Sequence, residues 1–392
     1  MTYDDIRAAM TELAESPTML MFHAEKYPAK IPPPVPSPID PAFLRPREDV
    51  SLPYIYDRFL ITRPPVLEDE AIRTLIDLSK FAPKLPLHIA HVSTEEALPI
   101  LRHAQNIGVN ISAETCFHYL ALSAEEIPQR DTRYKSEPPI RSKRNQNSLW
   151  AAMRTLQINS TPLRSGPITM VVSDHSPCSP AAKTLPSYIP PHPEYADYHG
   201  QKFDEFDGDF FRAWGGISSV GLGLPILSTV MNEKGWDLDW ALLHIATWSA
   251  GNPAQLVGLG SSKGSIKIGH DADFCIFDPE LEWTLKTEDL EYKHKMSPYV
   301  GMTMKGRVMC SFLRGMKIWD LDQGFVDEKP MGKLLLEKRR PEVESITAAY
   351  DAMNFEKLET SCDDSEDADE QSHSLWSALW NSCLPQTSVR LP

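Results

Sequence analysis

The chain has 392 residues, with 39 Lys+Arg against 54 Asp+Glu, a formal net charge of −15 and a hydrophobic share of 42%. That apolar share supports a sizeable core and excludes a wholly disordered chain. The acidic balance excludes a protein that coats nucleic acid, because neutralising phosphates needs clustered Lys and Arg. The longest apolar runs, such as Ile168–Val172, fall far short of the roughly 18 residues a bilayer span requires, so no membrane partner is expected. No basic start followed by an apolar stretch suggests a secretory signal. The six cysteines lack paired spacing, which reads as reduced thiols and a cytoplasmic location.

In chain order, Asp4–Glu15 carries Ile6, Met10 and Leu13 at helical spacing and predicts a short amphipathic helix. Thr18–Phe22 is a short apolar run ending in His23-Ala-Glu25, the pattern of a buried strand with a polar tip. The Pro-rich stretch 28–53 predicts a long loop, and Glu68–Phe81 a helix. The alternation then repeats: a strand over Leu87–Ser93, a helix over Thr94–Asn106, a strand over Asn110–Cys116, a helix over Asn145–Leu156 and a strand over Ile168–His175. Strands alternating with helices imply a parallel sheet. Residues 181–208 predict a second long loop. Phe210–Val230 is punctuated by Gly and then helical, and Trp240–Leu256 is a further helix.

From Lys263 the pattern changes to the alternation and turn residues of antiparallel strands, over Gly264–Asp278 and Val308–Trp319. The expected organisation is an α/β portion over 1–256, a small β-module with a closing segment over 257–335, a helix over 336–353 and an acidic, disordered tail over 354–392.

Each predicted parallel strand ends in polar residues: His23, His91, Glu114 with Cys116, and Asp174 with His175. That end of the strands is where a β/α barrel carries its active site. His23, His91 and Asp174 therefore read as ligands of one metal, since imidazole and carboxylate are the usual donors of a hydrolytic zinc site. Such an ion lowers the pKa of bound water and polarises a carbonyl, and Asp174 is the candidate to move a proton from water to a leaving nitrogen. A single His at a strand end is more often structural; three polar ends on equivalent strands point to the metal. His88 precedes His91 by three residues, so strand alternation points it away from the metal. His118 reads as structural and Cys178 as a buried free thiol.

Seven ordered segments carry a resemblance: AHVS at 90–93, ETCFHYL at 114–120, KSEPPIR at 135–141, VSDHSPC at 172–178, AWGGI at 213–217, KGSIKIGHDAD at 263–273 and HKMSPYVG at 294–301. Together they resemble the allantoinase family of cyclic amidohydrolases, relatives of the dihydroorotases and hydantoinases, over about residues 4–335. The resemblance implies a (β/α)8 barrel of the TIM type with a small β-module and two metal ions, commonly zinc. It also implies hydrolysis of the ring amide of (S)-allantoin to allantoate in purine catabolism, with a hydantoinase or dihydropyrimidinase as the alternative. Its ligands are a His-x-His pair, a carboxylated Lys that bridges the ions, two further His and an Asp. His23 matches the fifth-strand ligand, His91 the sixth and Asp174 the eighth. The His-x-His pair and the Lys have no counterpart in this sequence.

The resemblance further implies substrate contacts at Ser136, Glu137, His175, Ser176, Gly215 and Gly216. Gly215 and Gly216 let backbone approach a ligand, or serve only a tight loop. Glu137 departs from the small residue usual in the family, and Phe117 stands where Pro is usual. By family analogy the protein is a homotetramer. The expectation is thus the C-terminal half of a barrel with part of its β-module, from a reading frame that continues upstream. An inactive fragment that only pairs with a partner is the third reading.

Overall fold

A computed structural model describes residues 2–27, 52–154, 166–186, 207–327 and 329–335, all within one compact unit, Met1–Pro341. Most of both expected long loops, the helix at 336–353 and the acidic tail lie outside the described residues.

The first sheet is parallel and four-stranded in the order β1-β2-β3-β4: β1 (Leu20–Phe22), β2 (Leu87–Ile89), β3 (Ile111–Cys116) and β4 (Met170–Val172). Leu20 faces Leu87, Leu87 faces Ile111, and Glu114 faces Met170. The line of β4 runs on to a single parallel bridge between His175 and Ile217.

Leu87, Ile89, Ile111 and Ala113 alternate onto the face that packs with the helices. The helices on that side include α3 (Val66–Leu78) and α4 (Ala97–Asn106), whose Ile72, Leu75, Leu78 and Leu101 are buried at helical spacing. The other face carries Met21, His88 and Ser112 in register, with Glu114 two residues further along β3. Its Met21 is 55% exposed.

The second sheet is antiparallel: β5 (Phe274–Thr284), β6 (Thr303–Leu313), β7 (Met316–Asp320) and β8 (Gly324–Phe325). It joins the helical layer through α7 (Gly223–Glu233), where Thr229 Oγ1 accepts from Lys305 N at 2.9 Å. Gly306 takes a positive φ of 94° between Phe277 and Ser228, a position where a Cβ has no room.

Several expected bounds shift. The strand expected over Leu87–Ser93 stops at Ile89: Ala90 and Val92 still donate to Phe22 O and Glu114 O of the neighbouring strands, but the left-handed His91 between them interrupts the extended backbone, and Ser93 and Thr94 turn to Glu68. Gly264–Asp273 forms no strand. Lys263 bridges Asp271 and Asp273 and closes the segment into a turn that leaves Ile266 93% exposed. The helix expected over Trp240–Leu256 is three pieces: α8 (Leu238–Ala246), a π-helical turn at Thr247–Gly251 and α9 (Asn252–Leu256). A helix that the sequence pattern does not announce, α2 (Tyr56–Thr62), buries Tyr56 and Phe59.

Candidate metal and substrate site

His23 and His91 follow β1 and β2, adjacent parallel strands in register, so their rings meet. His23 Nδ1 and His91 Nε2 face each other at 3.0 Å, with the rings edge to face at 4.6 Å between centroids. Two lone pairs cannot face each other at that distance without a proton or a cation between them. The other nitrogen of His23, Nε2, lies 2.8 Å from Glu25 Oε2. Arg63 Nη1 approaches the same oxygen at 3.3 Å. A carboxylate on the far nitrogen fixes the tautomer that turns the near nitrogen's lone pair inward, the arrangement found behind metal-bound imidazoles.

The hydrogen bond to Glu25 raises the His23 pKa against the opposing effect of burial. Burial pushes Glu25 up, but the His23 hydrogen bond and the Arg63 charge outweigh it and hold the carboxyl below its usual range. His91 is pushed down to about 4, first by burial and then by the His23 charge, which keeps it the neutral imidazole a metal requires. Its Nδ1 is buried with no hydrogen-bond partner.

Asp174 lies two residues past β4, and its carboxyl is raised to about 6 by burial and by the nearby Glu114. His91 and Asp174 are both left-handed, with φ of 41° and 43°. That conformation costs a non-glycine residue about 1–3 kcal/mol and clusters at functional sites. The side chain of Asp174 turns toward β3: its carboxylate, Cys116 Sγ and a ring nitrogen of His118 all lie within 4.8 Å of one another. Among the described residues His23, His91 and Asp174 do not form a group of that kind. Asp174 and His23 are nonetheless near enough that the Asp174 charge raises the His23 pKa and the His23 charge lowers that of Asp174.

The donors present still fit a divalent ion in kind: two converging imidazoles, one of them clamped by a carboxylate, with a further carboxylate on a nearby strand end.

His88 lies within β2, in register with Met21 and Ser112. It is buried against Ser112 Oγ at 2.8 Å, with Nε2 3.2 Å from Glu114. That second approach is an ion-pair distance without hydrogen-bond alignment, and Nε2 has no hydrogen-bond partner.

The substrate-contact candidates fall into two places. Ser136 is buried, its Oγ 3.3 Å from His118 Nε2. Glu137 meets Arg63 at 3.2 Å and Lys135 at 3.3 Å. A Cβ added at Gly215 would lie 2.6 Å from Glu137 Cγ, and one at Gly216 would strike Ser176 Oγ. These glycines let the Glu137 and Ser176 side chains lie against the backbone. Ser176 Oγ accepts from Trp214 Nε1 at 3.0 Å. His175 Nδ1 accepts from Ser219 N and Val220 N, each at 3.0 Å, so it anchors a turn, and its proton sits on Nε2. Cys178 is half-buried, not buried as expected.

The sequence reading missed Lys183. Its buried ammonium donates to Lys135 O at 2.9 Å, Trp214 O at 2.8 Å and Gly216 O at 2.6 Å, tying the two substrate loops together. A Lys within a loop segment carries no signal in sequence that it will be buried.

No family model matches the chain. It is 37% identical over 341 residues to the allantoinase of Saccharomyces cerevisiae (strain S288c), an alignment covering 86% of this chain and 62% of that one. It is 36% identical over 323 residues to probable allantoinase 2 of Dictyostelium discoideum, covering 81% and 56%. Among solved structures, a D-hydantoinase from Bacillus sp. AR9 superposes with a TM-score of 0.61 at 28% identity, over 83% of this chain and 62% of that one. The chain thus spans less than two thirds of each of these three proteins.

Proposed function

Because the chain belongs to the allantoinase family of cyclic amidohydrolases, we propose that it supplies the C-terminal part of a metal-dependent hydrolase that opens the ring of allantoin to allantoate. The observation that carries the reading is the His23–His91 pair, with Glu25 behind His23, at the ends of two parallel strands. In the same proposal the parallel sheet is part of a (β/α)8 barrel, the ion is zinc, the protein is a cytoplasmic homo-oligomer, and the reaction serves purine catabolism. Resemblance supports the barrel, the zinc, the assembly and the pathway, and the unpaired cysteines support the compartment; no helix among the described residues is long and apolar enough to cross a membrane.

His23, His91 and Asp174 are the residues that would hold the metal. When bound, it supplies Lewis-acid polarisation of the ring carbonyl and an activated water. Glu25 keeps the His23 lone pair directed inward. Asp174, with a carboxyl near 6, suits proton transfer near neutrality: as carboxylate it takes a proton from water, and as acid it returns the proton to the departing ring nitrogen. Ser136, Glu137 and Ser176, which the resemblance makes substrate contacts, are carried by or next to the loops that Lys183 joins, and in this reading they bound the ring. Three donors are half of the set that the family resemblance implies, so turnover requires the remaining ligands.

The test is a ring-opening assay with zinc present, on allantoin, hydantoin and dihydrouracil. It compares this chain alone with this chain joined to the N-terminal portion of the yeast relative. We expect allantoin to be the preferred substrate of the joined protein, with Asp174→Asn losing about 10²–10⁴-fold in kcat. Absence of allantoin turnover in both forms overturns the proposal, and preference for hydantoin or dihydrouracil transfers it to the hydantoinase reading.

A further inference from the structure

We propose that Glu137 is a specificity-determining residue: its carboxylate receives the paired N–H groups of a ureido substituent and so selects a ring amide that carries such an arm over the bare ring. The inference rests on the ring-opening reading for its substrate class, and adds to it the group that reads the substituent.

Glu137 is held as a fixed acceptor with one oxygen to spare. Arg63 Nη2 lies 3.2 Å and Lys135 Nζ 3.3 Å from the same atom, Oε1. Among the described residues no partner meets Oε2. The side chain is 30% exposed, and Oε2 is not one of the atoms sealed from solvent, so a solute can reach it. The loop backbone lies against the other side of the carboxyl: a Cβ at Gly215 would stand 2.8 Å from Glu137 Cδ and 3.1 Å from Oε1. Lys135 is itself tied down, its Nζ donating to Ala213 O at 2.6 Å. An acceptor fixed before the ligand arrives loses little freedom on binding it.

Its place in the fold suits a substituent. The other terminal nitrogen of Arg63, Nη1, is 3.3 Å from Glu25 Oε2, the oxygen that backs the His23 ring. One guanidinium therefore separates Glu137 from the support of the His pair. The carboxylate stands beside the reacting end of the site and outside it, where a group attached to the ring reaches when the ring carbonyl lies at the imidazoles.

The chemistry then separates the candidate substrates. Allantoin is a hydantoin ring with a ureido arm, whose N–H and NH2 groups present two donors in one direction. An ionised carboxylate is an acceptor only, and a hydrogen bond to it is about twice as strong as one between neutral groups. Hydantoin and dihydrouracil lack the arm and leave Oε2 to water. A site built to pair with a polar group discriminates against the analogue that lacks it more sharply than an apolar pocket does.

The experiment measures binding to the purified full chain, stripped of metal so that nothing turns over, by calorimetric titration with allantoin and with hydantoin. We expect allantoin to bind about tenfold more tightly. Glu137→Ala should erase that preference by weakening allantoin alone, and the isosteric Glu137→Gln, which keeps an acceptor oxygen without the charge, should reduce it to an intermediate value. Far-ultraviolet circular dichroism confirms that each variant folds, and Glu137→Gln carries the test should Glu137→Ala not fold. Equal affinity for the two ligands, binding of neither, or a preference that survives in the variants overturns the proposal. So does equal weakening of both ligands, the result of a purely structural ion pair. The titration needs neither metal nor turnover. A preference lost in the variants therefore stands if the ring-opening assay fails, and a preference indifferent to Glu137 sinks this assignment while allantoin turnover persists.

Discussion

At the residue scale the molecule rests on carboxylates placed behind cationic or metal-seeking groups. Glu25 is the sharpest instance. It holds His23 Nε2 at 2.8 Å and is itself held by Arg63, so a change at Glu25 acts on metal affinity through the orientation of His23. Glu25→Ala is expected to weaken zinc binding at the His pair by about 10–100-fold, and Glu25→Gln by less, because an amide oxygen still accepts from the imidazole. Competition against a chromophoric chelator measures both; equal affinities in all three proteins contradict the role.

Glu68 is a buried analogue with a structural task. It accepts from the backbones of Ser93 at 3.0 Å and Thr94 at 3.3 Å, with Arg141 3.6 Å away, and so fixes the turn just past His91. The sequence showed His23 and His91 because polar residues at parallel strand ends are unusual. It did not show where Asp174 points, because a left-handed φ lies outside strand periodicity. It did not show Arg63 either, which stands just past a helix with no clear start signal.

At the element scale α3 combines an apolar face with a crowded acidic one. Asp69 is pushed up to about 7, first by burial and then by Glu96 and Glu68. Asp69 Oδ1 and Glu96 Oε2 are both buried without hydrogen-bond partners. The sign follows from linkage: with its folded pKa above the ordinary value of 3.8, Asp69 retains a proton that the unfolded chain has lost. Stability is therefore full at low pH and falls as pH rises from about 4 through about 7. Asp69→Asn should raise the thermal midpoint by roughly a few degrees at pH 8 and leave it unchanged at pH 4; an equal shift at both pH values refutes this.

The helical period of Ile72, Leu75 and Leu78 made α3 readable, and the repeated strand–helix order made the parallel sheet readable. The strands came out shorter than their apolar runs because polar rim residues leave the ladder early. The turn at 263–273 was misread because an ion-paired loop can alternate like a strand. Its Ile266 and Ile268 face solvent, which periodicity alone cannot reveal.

At the scale of the whole molecule, distant segments converge on a few buried polar groups. Lys183 gives its three N–H bonds to carbonyls at positions 135, 214 and 216, and Lys135 in turn reaches Ala213 O at 2.6 Å. Residues far apart in the chain are thereby held as one rim, with the substrate candidates on it. Burial drives the Lys183 ammonium down to about 7, yet it has no donor left to offer and almost no surface. An acylating reagent such as acetic anhydride therefore reaches this nitrogen only after the loops part. Its labelling, followed by peptide mass spectrometry, should lag far behind that of exposed Lys80 and keep pace with global opening under denaturant. Early modification would show that the clasp breathes on its own, whereas late modification makes a single amine the clock for the integrity of the entire rim.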